Sequence, residues 1–377
     1  MAKRKNEWCH VALEPGVLSA FWSHSRKIAM GQARCHRHAP GPHQSRCGNR
    51  FTSGGWTSKC DLAPSHFWHR GSHGGDVHGC RERSMKTLIQ NGRLVDESQG
   101  LNALGDLALA DGQIVGIGKA PPDFSPDQRF DATGCVVSPG LVDLCARLGE
   151  PGHEHEGMLQ TEMRAACAGG VTTLVCPPDT DPVLDESGLV DMLIHRVSQL
   201  DLGRVLPLGA ITRGLDGDTL TEMAALTEAG CVGFSQSEKA IVRADVMLRA
   251  FQYAATYGFA LWLRPVHGQL DKGVAASGPL ATRLGLAGVP VSAETISLFT
   301  ILEFMRMTGA RVHVCRVSSA AGVAMIRQAK AEGLALTADI SINQLHLSEN
   351  DMGYFDSRAR LTPPLRSPRD RDALQQA

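Results

Sequence analysis

The sequence predicts an α/β protein: a (β/α)8 TIM-type barrel, truncated after about seven strands, behind a small N-terminal β module. Three observations carry this. From Leu141 onward, seven short apolar runs recur, each followed by an amphipathic helical pattern. The runs are continuously apolar rather than alternating, which marks strands buried on both faces of a parallel sheet. The segment before them contains strand patterns alone.

The elements follow in order. "KTLIQNGRLVD", "GDLALADGQIVGIG" and "QRFDATGCVVSPG" alternate β runs with Gly and Asp turns, and assign residues 85–137 to the β module. Barrel strands are predicted at 141–148, 172–178, 204–211, 231–236, 260–266, 311–318 and 334–341. Between them lie helical patterns such as "LQTEMRAACAGG", "ADVMLRAFQYAATYG", "SAETISLFTILEFMRMTG" and "AAGVAMIRQAKAEG". Endings in Gly-Gly and Thr-Gly suit helix C-termini. Seven strand–helix units in a row favour a closed barrel over an open sheet. The barrel is therefore assigned to 138–377, lacking its eighth unit. Seven strands leave two open edges, so the chain reads as a fragment of a longer protein.

Residues 1–84 are of a different kind. They hold 9 of the 15 His, 5 of the 11 Cys and 4 of the 5 Trp, with 13 Lys/Arg against 5 Asp/Glu. This piece shows neither apolar periodicity nor a signal-peptide core. Two readings compete. One is a metal-binding module, from "CHRHAPGPHQSRC" and "HFWHRGSHGGDVHGC", although no pair has the spacing that closes a tetrahedral zinc site. The favoured one is a non-native leader whose true start is Met85, expected to be disordered.

The net charge of −1 gives no overall signal for nucleic acid or an acidic membrane. No apolar run reaches the ~18 residues of a membrane span. Cys135, Cys145, Cys167, Cys176, Cys231 and Cys315 lie mostly in apolar runs, as reduced core residues of a cytoplasmic protein do.

"PGLVDL", "EPG", "AGGVTTL", "GVAASGPLATRLGLAG", "TGARVHV", "VSSAAGV" and "LTPPLRSPRDRDAL" stand in the order and spacing of one family. From Met85 to the end the chain resembles the dihydroorotases of the amidohydrolase superfamily. That resemblance implies interconversion of carbamoyl-aspartate and dihydroorotate, with zinc at the C-terminal mouth of the barrel lowering the pKa of bound water. It also implies ligand positions, and these are altered here. Cys145 and Arg147 stand in the place of the family's His-x-His. Gln236, with Ser237, stands where the family carries Asp or carboxylated Lys. Arg264 and Arg316 replace the histidines of strands 5 and 6. Gly149 takes the place of the substrate-carboxylate Arg, and Asp179 or Asp181 that of the substrate Asn.

Guanidinium offers no lone pair and stays protonated, so arginine cannot ligate zinc. The expectation is a pseudoenzyme with no catalytic residue and no metal. The alternative is an active zinc-dependent dihydroorotase or related cyclic-amide hydrolase. For Arg147, Arg264 and Arg316 two readings stay open: pairing with Asp143, Glu150, Asp179, Asp181 or Asp339, or an anion pocket for a dicarboxylate or phosphate.

Other candidates are weaker. "PGHEHEG", His153 to Glu156, reads as a solvated loop, and Cys145 as a small core residue rather than a nucleophile. His313 and Cys315 are expected to face away from Arg316 and pack under helices. Inactive members of the family resemble the subunit that holds aspartate carbamoyltransferase in an assembly. The resemblance alone thus implies that partner and a hetero-oligomer.

Overall fold

The computed structural model describes residues 85–377 apart from Asp201, together with the backbone of His10–Leu13. The readings of the leader therefore lie outside the described residues, save for this short strand, which its composition did not suggest. The chain divides into two compact units. One runs to Leu141 and includes Arg164–Thr172 and Ser198–Gly203; the other comprises Val142–Met163, Thr173–Val197 and Arg204–Ala377. The sequence-based boundary at 137/138 falls close to the first break and does not anticipate the two returning segments.

The first unit carries a sheet of β1 (His10–Leu13), β2 (Thr87–Asp96), β3 (Leu101–Ala110), β4 (Gln113–Gly118), β5 (Gln128–Asp131) and β6 (Val136–Pro139), in the order β1-β6-β2-β3-β4, with β5 also on β2. β3 and β4 are antiparallel and joined by Asp111-Gly112. Both turn residues have positive φ, 53° and 70°, as a type I′ hairpin turn demands. Ile89, Leu94, Leu107, Leu109, Ala132 and Val137 form the core.

The barrel strands begin with β7 (Leu141–Asp143), followed by α1 (Leu159–Ala168), β8 (Val171–Cys176), α2 (Ser187–Ser198) and β9 (Arg204–Ala210). Next come α3 (Met223–Glu228), β10 (Gly233–Ser235), α4 (Ala244–Tyr257) and β11 (Ala260–Leu263). Two short strands, β12 (Ala275–Ala276) and β13 (Gly288–Val289), flank α5 (Pro279–Leu284). The series continues with α6 (Ser292–Thr308), β14 (Arg311–Val314), α7 (Ala320–Ala331), β15 (Leu336–Ala338), α8 (Ile342–His346) and α9 (Pro368–Gln375). The sheet order is β15-β14-β11-β10-β9-β8-β7. Every register from β8 to β15 is parallel. Seven strands in sequential order, parallel from β8 to β15 and with intervening helices, are the (β/α) barrel arrangement the sequence predicts.

The strands from β10 onward are shorter than their predicted runs, and the two end strands depart most: β15, predicted over 334–341, covers Leu336–Ala338, with Thr337 and Ala338 exposed. β7 was expected over 141–148 as a buried strand, but it covers three residues, and Leu141 and Val142 are 60% and 49% exposed. It is an end strand of the sheet and is paired only through β8. Cys145 and Arg147 therefore lie in the loop that follows.

A buried polar knot ties α6 to the start of α7. Glu294, 4% exposed, accepts the backbone N–H of Ser318 at 2.8 Å and of Ser319 at 3.1 Å, and both serine hydroxyls at 2.5 Å. Ser318 Oγ in turn accepts from Arg366 Nε at 2.7 Å. Gly322 leaves room for this carboxylate, since a Cβ there would lie 2.3 Å from Glu294 Oε1. Glu294→Ala would leave two buried amides without partners and is expected to cost about 3 kcal/mol, read as a lower denaturant midpoint at unchanged slope.

Candidate functional site

Barrel strands deliver their following residues to one mouth, so the ends of β7, β8, β10, β11, β14 and β15 determine what meets there. Arg147 follows β7, Asp179 follows β8, Glu238 follows β10, Arg264 directly follows β11, and Arg316 follows β14. Two of these turns use left-handed backbone at non-glycine residues: Ser237 and Arg316 both have φ 53°. That conformation is costly for residues with a Cβ, and here it swings Glu238 and Arg316 toward each other.

The three arginines converge on Glu238. Arg147 Nη2 donates to Glu238 Oε1 at 2.7 Å, Arg264 Nη1 donates to Oε2 at 2.6 Å, and Arg316 Nη2 donates to Oε1. Further acceptors complete the cluster. Arg147 Nε donates to Asp179 at 2.9 Å, Arg264 Nη2 to Asp271 at 3.1 Å, and Arg316 Nη1 to the Thr362 carbonyl at 3.0 Å. The Arg264 side chain is only 6% exposed, against 46% for Arg147. The shared anion is thus the chain's own Glu238, a residue the sequence reading passed over.

Of the partners proposed from sequence, Asp179 pairs with Arg147, and Asp339 accepts the Arg316 backbone amide. Asp143 instead accepts the Cys145 N–H at 2.9 Å, and Glu150 pairs with Arg196 at 3.3 Å. The Asp181 backbone N–H donates to the Pro151 carbonyl at 3.0 Å. The electrostatics follow from these contacts. Burial pushes the Glu238 carboxyl up, but the guanidiniums of Arg316, Arg264 and Arg147 outweigh it and hold it below the ordinary carboxylate value. Burial works against the Arg147 charge, yet Asp179 and Glu238 keep it protonated more firmly than usual.

The remaining candidates have distinct environments. Gln236 is buried and exchanges hydrogen bonds with Thr212 at 2.8 and 3.1 Å. Burial raises the Cys145 thiol against the pull of Arg316 and Arg147, so it stays a neutral thiol rather than a nucleophile. Gly149 has φ 74°, and a Cβ there would lie 1.9 Å from the Gly157 carbonyl oxygen. No side chain, and so no arginine, fits that loop as built. In the "PGHEHEG" loop, His155 and Glu156 are 74% and 71% exposed, as a solvated loop should be.

The sequence reading put His313 and Cys315 under helices; the partners of His313 instead lie on and just after the neighbouring strands. The His313 ring lies 4.5 Å from the Trp262 ring. Its Nδ1 is 2.8 Å from Thr337 Oγ1 and its Nε2 is 3.1 Å from Asp339 Oδ2. The pairing of β14 with its neighbours puts His313 beside both Trp262 and Thr337, so strand register, not helix cover, sets its surroundings.

Zinc, which the dihydroorotase resemblance implies, does not fit the family-position residues Cys145, Arg147, Gln236, Arg264 and Arg316. Three are guanidiniums already donating to Glu238 and Gln236 is committed to Thr212, which leaves Cys145 as a single donor where a zinc site needs three or four.

Two outcomes are expected. Glu238→Gln leaves the cations of a partly buried cluster uncompensated and should lower stability by about 2–4 kcal/mol, below the full buried-pair range because the cluster is partly solvated. The folded carboxyl of Glu238 is depressed, so its contribution is complete above the ordinary value near ~4.3 and is lost as pH falls through the folded value. Acid denaturation of the Gln variant should therefore be the shallower of the two. Gly149→Arg is expected to cost about 3 kcal/mol or more, from the clash and the left-handed φ together, and thermal unfolding would report it.

Comparison with known proteins points to one family. A family model described as Dihydro-orotase-like matches residues 134–321. A dihydroorotase-like protein of Pseudomonas aeruginosa is 39% identical over 294 residues, covering 78% of this chain and 70% of that protein. A protein named dihydroorotase from Geobacter sp. is 35% identical over 294 residues, covering 77% and 69%. Among solved structures, an L-hydantoinase (dihydropyrimidinase) from Arthrobacter aurescens superposes with a TM-score of 0.65 at 22% identity, covering 76% of this chain. The chain spans 65% of that structure's length, under two thirds, and the likeness speaks for the fold. Sequence, strand order and these matches agree: the chain belongs to the dihydroorotase-like family of the amidohydrolase superfamily.

Proposed function

We propose that this chain is a non-catalytic dihydroorotase-like protein of pyrimidine biosynthesis, acting in the cytoplasm as a structural subunit for aspartate carbamoyltransferase. The observation that carries the non-catalytic part is the cluster at the barrel mouth. Arg147, Arg264 and Arg316 meet on Glu238, filling with fixed charge the place where the family's chemistry needs a Lewis acid and open space. A dication brought to this point faces three guanidiniums. An external anion would have to displace Glu238. The partner rests on the resemblance to inactive family members, and a fold retained without its chemistry suits a scaffold role. The names of two relatives, dihydroorotase-like proteins of Pseudomonas aeruginosa and Pseudomonas putida, accord with this reading. The free thiols of the described cysteines accord with a reducing compartment.

A second reading, an active metal-dependent dihydroorotase or related cyclic-amide hydrolase, is favoured by relatives that carry the plain name dihydroorotase. Two measurements separate them. The purified protein, with and without added zinc, is expected to interconvert carbamoyl-aspartate and dihydroorotate no faster than buffer, and Arg147→His alone is expected to restore nothing. Mixed with aspartate carbamoyltransferase, it should co-elute as a larger species on size exclusion. Zinc-dependent turnover well above the blank would transfer the conclusion to the hydrolase.

A further inference from the structure

A second set of donors stands next to the arginine cluster and shares no residue with the positions where the family holds its metal. His313, Cys315 and Asp339 each offer one ligand atom, and these atoms lie within 4.8 Å of one another. They come from the end of β14 and from the residue after β15, two hydrogen-bonded neighbours. We propose that His313 Nε2, Cys315 Sγ and an Asp339 carboxylate oxygen form a binding site for a divalent transition metal such as Zn(II) or Co(II).

The donor chemistry is right for such an ion. One imidazole, one thiolate and one carboxylate suit a borderline-soft cation, and three protein ligands leave a fourth position for water. The geometry is close. A tetrahedral site with bonds of about 2.0–2.3 Å sets nitrogen and oxygen roughly 3.3 Å apart and sulfur roughly 3.6 Å from either. His313 Nε2 and Asp339 Oδ2 already stand at 3.1 Å. The thiol needs to swing inward by roughly an ångström.

The surrounding groups hold the ligands in place. Thr337 Oγ1 sits 2.8 Å from His313 Nδ1, where it accepts the ring proton once Nε2 turns to the metal. The other Asp339 oxygen is fixed by the Arg316 backbone amide. Such outer hydrogen bonds orient ligands and set the histidine tautomer. The Arg316 guanidinium, the nearby cation that would oppose a metal, is drawn off to Glu238 and the Thr362 carbonyl. Cys315 and Asp339 are only partly buried, so the donor set is not sealed from solvent.

Binding balances simply. The Cys315 S–H gives one proton to solvent and the sulfur donates its electron pair to the metal. The His313 ring proton moves from Nε2 to Nδ1, and no redox change is needed.

Cobalt(II) is the probe. Protein stripped of metal by a chelator and kept reduced is titrated with CoCl2 and followed by absorption. The expected result is one equivalent bound per chain, with a near-ultraviolet thiolate-to-cobalt charge-transfer band and visible bands of tetrahedral intensity. Cys315→Ser should lose the charge-transfer band while keeping the native circular dichroism spectrum, and Cys145→Ser should retain it. Thr337→Val, which touches no metal, should weaken cobalt binding about tenfold or more by freeing the histidine ring.

Absence of the band at excess cobalt would overturn the site, as would its survival in Cys315→Ser. The hydrolysis assay reads the proposed function separately: cobalt held at Cys315 without turnover leaves both conclusions standing, while turnover in the Cys315→Ser protein would overturn only the non-catalytic reading.

Discussion

The mouth of this barrel is organised by the sharing of one carboxylate among three guanidiniums. Glu238 joins residues that follow β7, β11 and β14 to its own place after β10. A buried ion pair is not in itself a source of stability, because desolvation offsets much of the Coulomb gain. Its force here is conditional. Once Arg264 is nearly buried and Arg316 has its Nε enclosed without a partner, the structure depends on the anion that compensates them. The left-handed backbone at Ser237 and Arg316 is intelligible in the same terms: local strain is retained where an ion-pair network fixes the geometry.

Much of the architecture was legible in the sequence because it rests on periodicity. Each of the seven barrel strands falls on a predicted run, since a strand buried on both faces leaves a continuous apolar signature whatever its ends carry. The end strands β7 and β15 fell furthest short in length. Leu141 and Val142 read as core from hydropathy, but an end strand paired on one side need not be covered. Hydropathy reports what a residue prefers, and sheet topology decides what it receives.

The site was legible in part. Counting charges shows that three inward arginines require anions, and Asp179 was found that way. Glu238 was not, because the family resemblance brings Gln236 and Ser237 to the mouth. The left-handed backbone at Ser237 turns the chain there, and a serine gives no warning of it, as a glycine would. The one available signal was proximity: "SEK" puts an acid just past a strand end, as close to the mouth as the arginines themselves. Likewise, alternation along β14 put His313 and Cys315 on one face but could not say which neighbours that face would meet. Thr337 and Asp339 become partners only through the parallel pairing of β14 with β15.

Gly149 bears on how such a protein can change. The carbonyl of Gly157 occupies the volume that any β-carbon would need. Position 149 in the loop after β7 is therefore closed to side-chain chemistry by the path of the backbone itself. Four strand ends are coupled through Glu238, and this fifth position is barred by main-chain geometry. Single-residue steps back toward a ligand-bearing mouth each meet an obstacle set by something other than the residue replaced. The route by which this barrel took its present form need not be open in reverse.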